Sequence, residues 1–170
     1  MQILMSSQQL QLTINRLAHQ LLENEESLNN IVFIGIQPRG IHISDKIIEA
    51  IKSIVKENTT IQYGLLDITF YRDDIRSELH IPKETTLTHS IEGKKVILID
   101  DVLYTGRTIR AALDALQDFG RPEKVELCVL VNRRFNRELP IQPDYCGISI
   151  DTAQEQKVKV DWVQSEVILY

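Results

Sequence analysis

Apolar positions Leu10, Ile14, Leu17, Ala18, Leu21 and Leu22 recur at helical spacing and predict one stripe of an amphipathic helix. Ser6 with Gln9 three residues later forms a capping-box pattern at its start. The run Ile31-Val32-Phe33-Ile34-Gly35-Ile36 is continuous, apolar and β-branched, as expected of a strand covered on both faces. The turn Gln37-Pro38-Arg39-Gly40 leads into a second helical stripe of Ile43, Ile47, Ile51, Ile54 and Val55. Ile61 to Tyr71 alternates and predicts a half-buried strand.

From Arg72 to Lys95 the periodicity fails. Polar residues, Pro82 and the Thr-rich stretch Glu84 to Ser90 predict a long, mobile loop. A structureless loop of ~20 residues in a compact domain is either functional or disordered. Order resumes at Val96-Ile97-Leu98-Ile99, a buried strand ending in Asp100-Asp101. A helix follows with Ile109, Leu113, Leu116 and Phe119 on one stripe, stopped by Gly120 and Pro122. Val125 to Val131 predicts another strand, and Tyr145 to Ile150 and Val158 to Val163 shorter ones. Strands alternating with helices imply an α/β fold with a doubly wound, mainly parallel sheet flanked by helices. No repeat, linker or low-complexity tract interrupts the chain, so residues 1–170 are expected to form a single domain.

Composition narrows the class. A chain of 170 residues is long enough to bury a core, and its 43% hydrophobic and 25% charged residues are ordinary for a soluble domain. A net charge of −5 argues against a generally basic nucleic-acid surface. No leader peptide or apolar run of membrane-spanning length is visible, so a cytoplasmic protein without membrane contact is expected. Cys128 lies in an apolar run and Cys146 beside Tyr145, which points to buried thiols rather than a disulfide or nucleophile.

The chemistry concentrates in Asp100-Asp101-Val102-Leu103-Tyr104-Thr105-Gly106-Arg107-Thr108. Open parallel sheets bind ligands beyond the carboxyl ends of their strands, where this segment lies. A helix opening at Thr-Gly-Arg-Thr offers unpaired N–H groups and the positive end of its dipole to an anion such as phosphate. Thr105 and Thr108 add hydroxyl donors, and Gly106 lacks the Cβ that would keep a phosphate from the backbone. The two carboxylates would repel a bare phosphate but suit sugar hydroxyls or hydrated Mg²⁺. Adjacent acids after a buried strand also occur in receiver domains and phosphohydrolases, or as solvated loop charges. The complete run is far more specific, and neither Gly-x₄-Gly-Lys-Ser/Thr nor Gly-x-Gly-x-x-Gly is present. His19, His42, His80 and His89 share no metal-ligand spacing.

This segment resembles the phosphoribosyl diphosphate (PRPP) motif of type I phosphoribosyltransferases. Its extended wording through Ile109-Arg110-Ala111-Ala112-Leu113 is similar to the PyrR family, pyrimidine-operon attenuation regulators that are also uracil phosphoribosyltransferases. Similar segments span nearly the whole chain: Arg16-Leu17-Ala18-His19, Asp67-Ile68-Thr69, Tyr71-Arg72-Asp73-Asp74, Gly120-Arg121-Pro122 and Arg137-Glu138-Leu139-Pro140-Ile141. The resemblance implies a type I phosphoribosyltransferase fold with a small hood and a flexible lid loop after Tyr71. It implies a Mg²⁺-dependent transfer of the phosphoribosyl group of PRPP to uracil, giving UMP and diphosphate. Asp100 and Asp101 would then meet the ribose hydroxyls, directly or through Mg²⁺ and water. Pro38, Arg39 and Gly40 would hold the diphosphate, with Arg39 as its cation, and Val102 to Thr108 would cradle the 5′-phosphate. Arg133 would lie near base and diphosphate, and the segment around Val160 would complete the base pocket. Arg16, His19 and Arg137 match positions that contact messenger RNA in the family. A homodimer or higher homo-oligomer is implied as well.

Several positions depart from the family pattern. Pro38 stands where relatives carry Thr; Pro lowers the cost of a cis bond after Gln37, and a rigid trans turn is the alternative. Val131-Asn132-Arg133-Arg134-Phe135-Asn136 has one extra residue and lacks the family's Asp and Gly, which leaves base preference open. Gln142 and Ile148 replace basic positions, which weakens the case for RNA. Three readings therefore stay open: a uracil phosphoribosyltransferase, a UMP-sensing RNA-binding regulator, and a phosphoribosyltransferase for another base.

Overall fold

In the computed structural model, which describes residues 1–74 and 84–170, the apolar runs form the middle layer of a three-layer arrangement. The chain runs β1 (Gln2–Met5), α1 (Ser7–Leu22), β2 (Ile31–Gln37), α2 (Gly40–Ile54) and β3 (Gln62–Asp67). It continues through β4 (Lys95–Leu103), α3 (Arg107–Leu116), β5 (Lys124–Arg134), β6 (Tyr145–Asp151), β7 (Val158–Asp161) and β8 (Glu166–Leu169). Five strands pair in the order β3-β2-β4-β5-β6, all parallel.

Alternation along each strand explains the unbroken apolar runs. Ile31, Phe33, Ile97, Ile99, Cys128 and Leu130 face α1 and α2. The intervening Val32, Ile34, Val96, Leu98, Leu127 and Val129 pack with α3 on the other face. Both faces are thus dry, so neither set of positions tolerates polar side chains. The predicted capping box starts α1: Ser6 N–H donates to Gln9 Oε1 at 2.8 Å, and Gln9 N–H to Ser6 Oγ at 3.4 Å.

The strand order reverses direction between β2 and β4, because β3 lies on one side of β2 and β4, β5 and β6 on the other. This is the switch point at which doubly wound sheets open a crevice. A separate antiparallel sheet, β1-β8-β7, caps the molecule as the expected hood. Its edge strand β1 and central strand β8, four residues each, escape sequence reading because such short segments carry no clear period.

Predicted boundaries shift in several places, three of them around the cavity. The strand expected over 61–71 ends at Asp67, whose Oδ1 accepts from Thr69 N–H (2.9 Å) and Thr69 Oγ1 (2.6 Å) and turns the chain into a 3₁₀ turn. The strand expected to stop at Asp100-Asp101 runs on to Leu103. The predicted loop over 72–95 is partly ordered at its return end: Thr86 pairs with Leu65, Thr85 Oγ1 accepts from Asp67 N–H, and Ile91 is fully buried. Those contacts cover the otherwise open edge of β3. The centre of the expected lid, residues 75–83 with His80 and Pro82, lies outside the described residues. Among the described residues, no helix is long and apolar enough to cross a membrane.

Candidate active site

A cavity of about 540 Å³ opens where β2 and β4 end. Pro38, Arg39, every residue from Asp100 to Thr108, and Arg133 line it. The Gln37–Pro38 peptide bond is cis, the one of the two expected alternatives whose cost proline lowers. Gly40, also expected here, does not line the cavity. Its role is packing: a Cβ would lie 2.6 Å from the Ile99 carbonyl oxygen, so only glycine lets the start of α2 touch β4.

Because β4 extends beyond its apolar run, it carries Asp100 and Asp101 into the cavity wall while keeping them 4% and 8% exposed. Burial, and next the charge of Asp101, push the Asp100 carboxyl well above the usual range. Burial likewise raises Asp101, opposed by the positive charge of Arg39. Backbone N–H groups supply some relief: Asp101 N–H donates to Asp100 Oδ1 at 2.9 Å, and Val102 N–H to Asp101 Oδ1 at 2.7 Å. No salt bridge reaches either carboxylate among the described residues. The pair therefore forms a pocket of buried negative charge with too little compensation.

The loop after β4 turns into α3 through Gly106, at φ +94°, a left-handed conformation that disfavours any side chain. A Cβ there would also crowd Ile141 and Leu139 at 3.3 and 3.4 Å. Thr105 Oγ1 accepts from Arg107 N–H at 3.3 Å, pinning the turn. The Arg107 side chain bends toward carboxylates, pairing with Glu138 and, at 2.9 Å, with Asp73. Arg110 reaches the same Asp73 at 2.8 Å. The loop thus lines the cavity through residues that include Thr105 and Thr108, while its arginine binds neighbouring segments.

Arg133 is 5% exposed and stacks on the Tyr104 ring with its guanidinium carbon 3.9 Å from the centroid. It donates to Thr152 Oγ1 (2.9 Å) and to the Gln156 carbonyl (2.8 Å), tying β5 to the approach of β7. Val160 departs from expectation: it is buried in the core, and the cavity is lined instead by Lys157 and Val158. Sequence reading missed these two, and also Thr69, Arg72, Asp74 and Tyr170. Alternation on β7 puts Val158 and Val160 on one face, so the periodicity alone could not say which of them reaches the cavity. Lys157 and Tyr170 meet only because β7 pairs with β8, with Lys157 N–H 2.7 Å from the Tyr170 carbonyl oxygen.

The three cations expected to contact RNA differ in exposure and partners. Arg16 and His19 are exposed one turn apart on α1, beside a shallow groove that also holds Glu23. Arg16 spends its guanidinium on the carbonyls of Gly147 (2.6 Å) and Cys146 (3.2 Å) and on Gln20. Arg137 is only partly exposed. Its guanidinium turns inward to the Tyr104 carbonyl and the Asn132 side-chain oxygen. Among the described residues, no cluster of three or more His, Cys, Asp or Glu could hold a metal by itself. Cys128 is buried and Cys146 half-buried, both as free thiols.

Comparison with known proteins places this architecture. The profile of the phosphoribosyl transferase domain matches residues 3–165. The chain is 44% identical over 168 residues to Bifunctional protein PyrR of Brevibacillus brevis, covering 98% of this chain and 92% of that one. It is 48% identical over 160 residues to the PyrR protein of Haemophilus ducreyi, covering 93% and 88%. Among solved structures, a hypoxanthine phosphoribosyl transferase of Trypanosoma cruzi superposes with a TM-score of 0.75 at 18% identity, over 99% of this chain and 90% of that one. A hypoxanthine phosphoribosyltransferase of Staphylococcus aureus gives 0.69 at 23% identity, over 88% and 77%. At those identities the superpositions show a shared fold.

Proposed function

This chain belongs to the phosphoribosyl transferase domain family and, within it, to the PyrR proteins; from that premise we propose that it transfers the phosphoribosyl group of PRPP to uracil. The bond from ribose C1 to the diphosphate oxygen breaks, the electron pair leaves with diphosphate, and uracil N1 bonds to C1. The N1 proton is lost, and the product is UMP. The carrying observation is one cavity, at the switch point of the sheet, that combines a buried carboxylate pair with a phosphate-type helix N-terminus.

Each part of the cavity then has a task. The Leu103–Thr108 loop and the start of α3 receive the 5′-phosphate. Asp100 and Asp101 orient the ribose through its hydroxyls, which fixes C1 against the incoming base. Arg39 stands at the mouth with Pro38 and neutralises charge that develops on the departing diphosphate. An oxocarbenium-like C1 gains from the negative field of the two carboxylates. Lys157, Val158 and Arg133 surround the space left for the base.

The carboxylate pair also fits Mg²⁺, since buried oxygens short of positive charge are the donors a hard cation prefers. Asp100 and Asp101 would hold the ion through water or the ribose hydroxyls, and it supplies further neutralisation of the diphosphate. A cytoplasmic setting and assembly into a dimer or larger homo-oligomer belong to the same reading.

A second reading is RNA regulation, favoured by the exposed Arg16 and His19 on α1. The inward turn of Arg137, together with Gln142 and Ile148, leaves that face poorer in cations. RNA binding here is therefore expected to be weak and steeply salt-dependent.

The test is an assay with PRPP, Mg²⁺ and a panel of uracil, orotate, hypoxanthine and guanine. Uracil-dependent UMP formation supports the proposal; turnover of another base moves it to that base. PRPP or UMP binding with no turnover would leave a nucleotide-sensing regulator.

A further inference from the structure

The back of the phosphate loop carries an element that the roles above leave unused. An anion-binding loop must turn its N–H groups toward the ligand, and planar peptides then turn several carbonyls away from it. Those carbonyls need donors from behind, or the loop loses its shape when water competes for them. Here the donors come from one short stretch, residues 137–139. The Arg137 guanidinium donates to the Tyr104 carbonyl, and Glu138 N–H (2.9 Å) and Leu139 N–H (3.2 Å) donate to the Thr105 carbonyl. Glu138 adds the ion pair to Arg107 on the same loop.

Arg137 is built for an inward task. Its second terminal nitrogen donates to Asn132, which is 6% exposed and whose own amide reaches Ser149 Oγ at 3.3 Å. Its Nε is buried with no partner among the described residues. Arg137 accepts an unpaired donor, a cost that a pure surface contact has no reason to carry, in order to place both terminal nitrogens on interior oxygens.

We infer that Arg137 is a positioning residue for the phosphoribosyl-diphosphate site, holding the Tyr104–Gly106 backbone in its ligand-ready shape from behind rather than touching substrate. This deepens the function proposed above and rests on it. Loss of the guanidinium should weaken retention of the phosphorylated substrate more than the chemical step.

The experiment compares wild type, Arg137→Met and Arg137→Lys for steady-state kinetics with PRPP and uracil, and for PRPP binding by calorimetry. Arg134→Met serves as a control, since Arg134 is exposed and its guanidinium meets Asp151 and the Phe135 ring, away from the phosphate loop. Arg137→Met keeps the stem and removes every donor, so KM and Kd for PRPP are expected to rise about tenfold, the worth of a charged hydrogen bond. Its kcat should change far less. Arg137→Lys restores one donor and should recover part of the loss, which a merely structural arginine would not show in KM alone. Arg134→Met should match wild type. If Arg137→Met is folded with PRPP affinity unchanged, the inference is overturned. If Arg137→Met fails to fold, Arg137→Lys decides by the same measure. Wild type that neither binds PRPP nor turns it over would instead overturn the functional reading itself, and this inference with it.

Discussion

β4 begins and ends in buried charge, yet its two ends are built to opposite plans. At its start, Lys95 pairs with Glu25 (2.6 Å) and Glu126 (2.9 Å), while Lys124 (2.7 Å) and the Tyr145 hydroxyl (2.8 Å) complete the shell of Glu126. Burial alone would raise the Glu126 carboxyl, but hydrogen bonds from Lys124, Lys95 and Tyr145 hold it at about 2. At the other end, Asp100 and Asp101 are equally buried and pushed upward. The difference separates a carboxylate compensated within the protein from a pair that is not, and it is the ground on which we propose a functional role for the pair. Glu126 has its counter-charges inside the protein, whereas no salt bridge reaches the aspartates among the described residues, and in the proposed function a ligand supplies the missing charge.

The contrast breaks most visibly at the functional end. Asp101→Asn should lower uracil-dependent UMP formation about 100-fold or more without loss of thermal stability, as checked by initial rates and a melting curve. Unchanged rates would remove Asp101 from the site. At the structural end, Glu126→Gln should cost about 2–3 kcal/mol at neutral pH, since Lys95 would lose a buried partner. Urea unfolding measures this, and activity per folded molecule should stay at the wild-type level.

Acidity sharpens the comparison further, because the signs are opposite. Glu126 is depressed, so its stabilising contribution is complete above the ordinary glutamate range and is lost as pH falls toward about 2. Asp100 is elevated, so its favourable state is fully present below the ordinary aspartate value and is lost as pH rises through the elevated one. Asp100→Asn should therefore raise the melting temperature of ligand-free protein by a few degrees at pH 8 and leave it unchanged below about pH 4. A melting temperature lowered at pH 8 would show that the carboxylate is compensated after all. The smallest effect expected is that saturating PRPP with Mg²⁺ narrows the pH 8 gap, by supplying the missing positive charge to the wild type alone.

Much of this molecule is legible in one dimension. The two-faced strands, the capping box of α1 and the acidic pair before Thr-Gly-Arg-Thr are visible because each depends on neighbours within a few residues. The hood escaped in part because β1 and β8 are too short to show a period. The return end of the 72–95 stretch escaped because its order comes from the edge of β3, not from its own sequence.

Local pattern by itself therefore determined the layered α/β architecture and singled out the acidic segment that lines the cavity at the end of β4. Backbone geometry and side-chain periodicity are short-range properties, and they propagate directly from residue type. Only tertiary structure decided which charges are free. Arg107 meets Asp73 across 34 positions, Arg16 meets Gly147 across 131, and Arg137 folds back onto Tyr104 across 33. A charged side chain takes its role from what it touches and from how much water remains around it, and both are set by long-range packing.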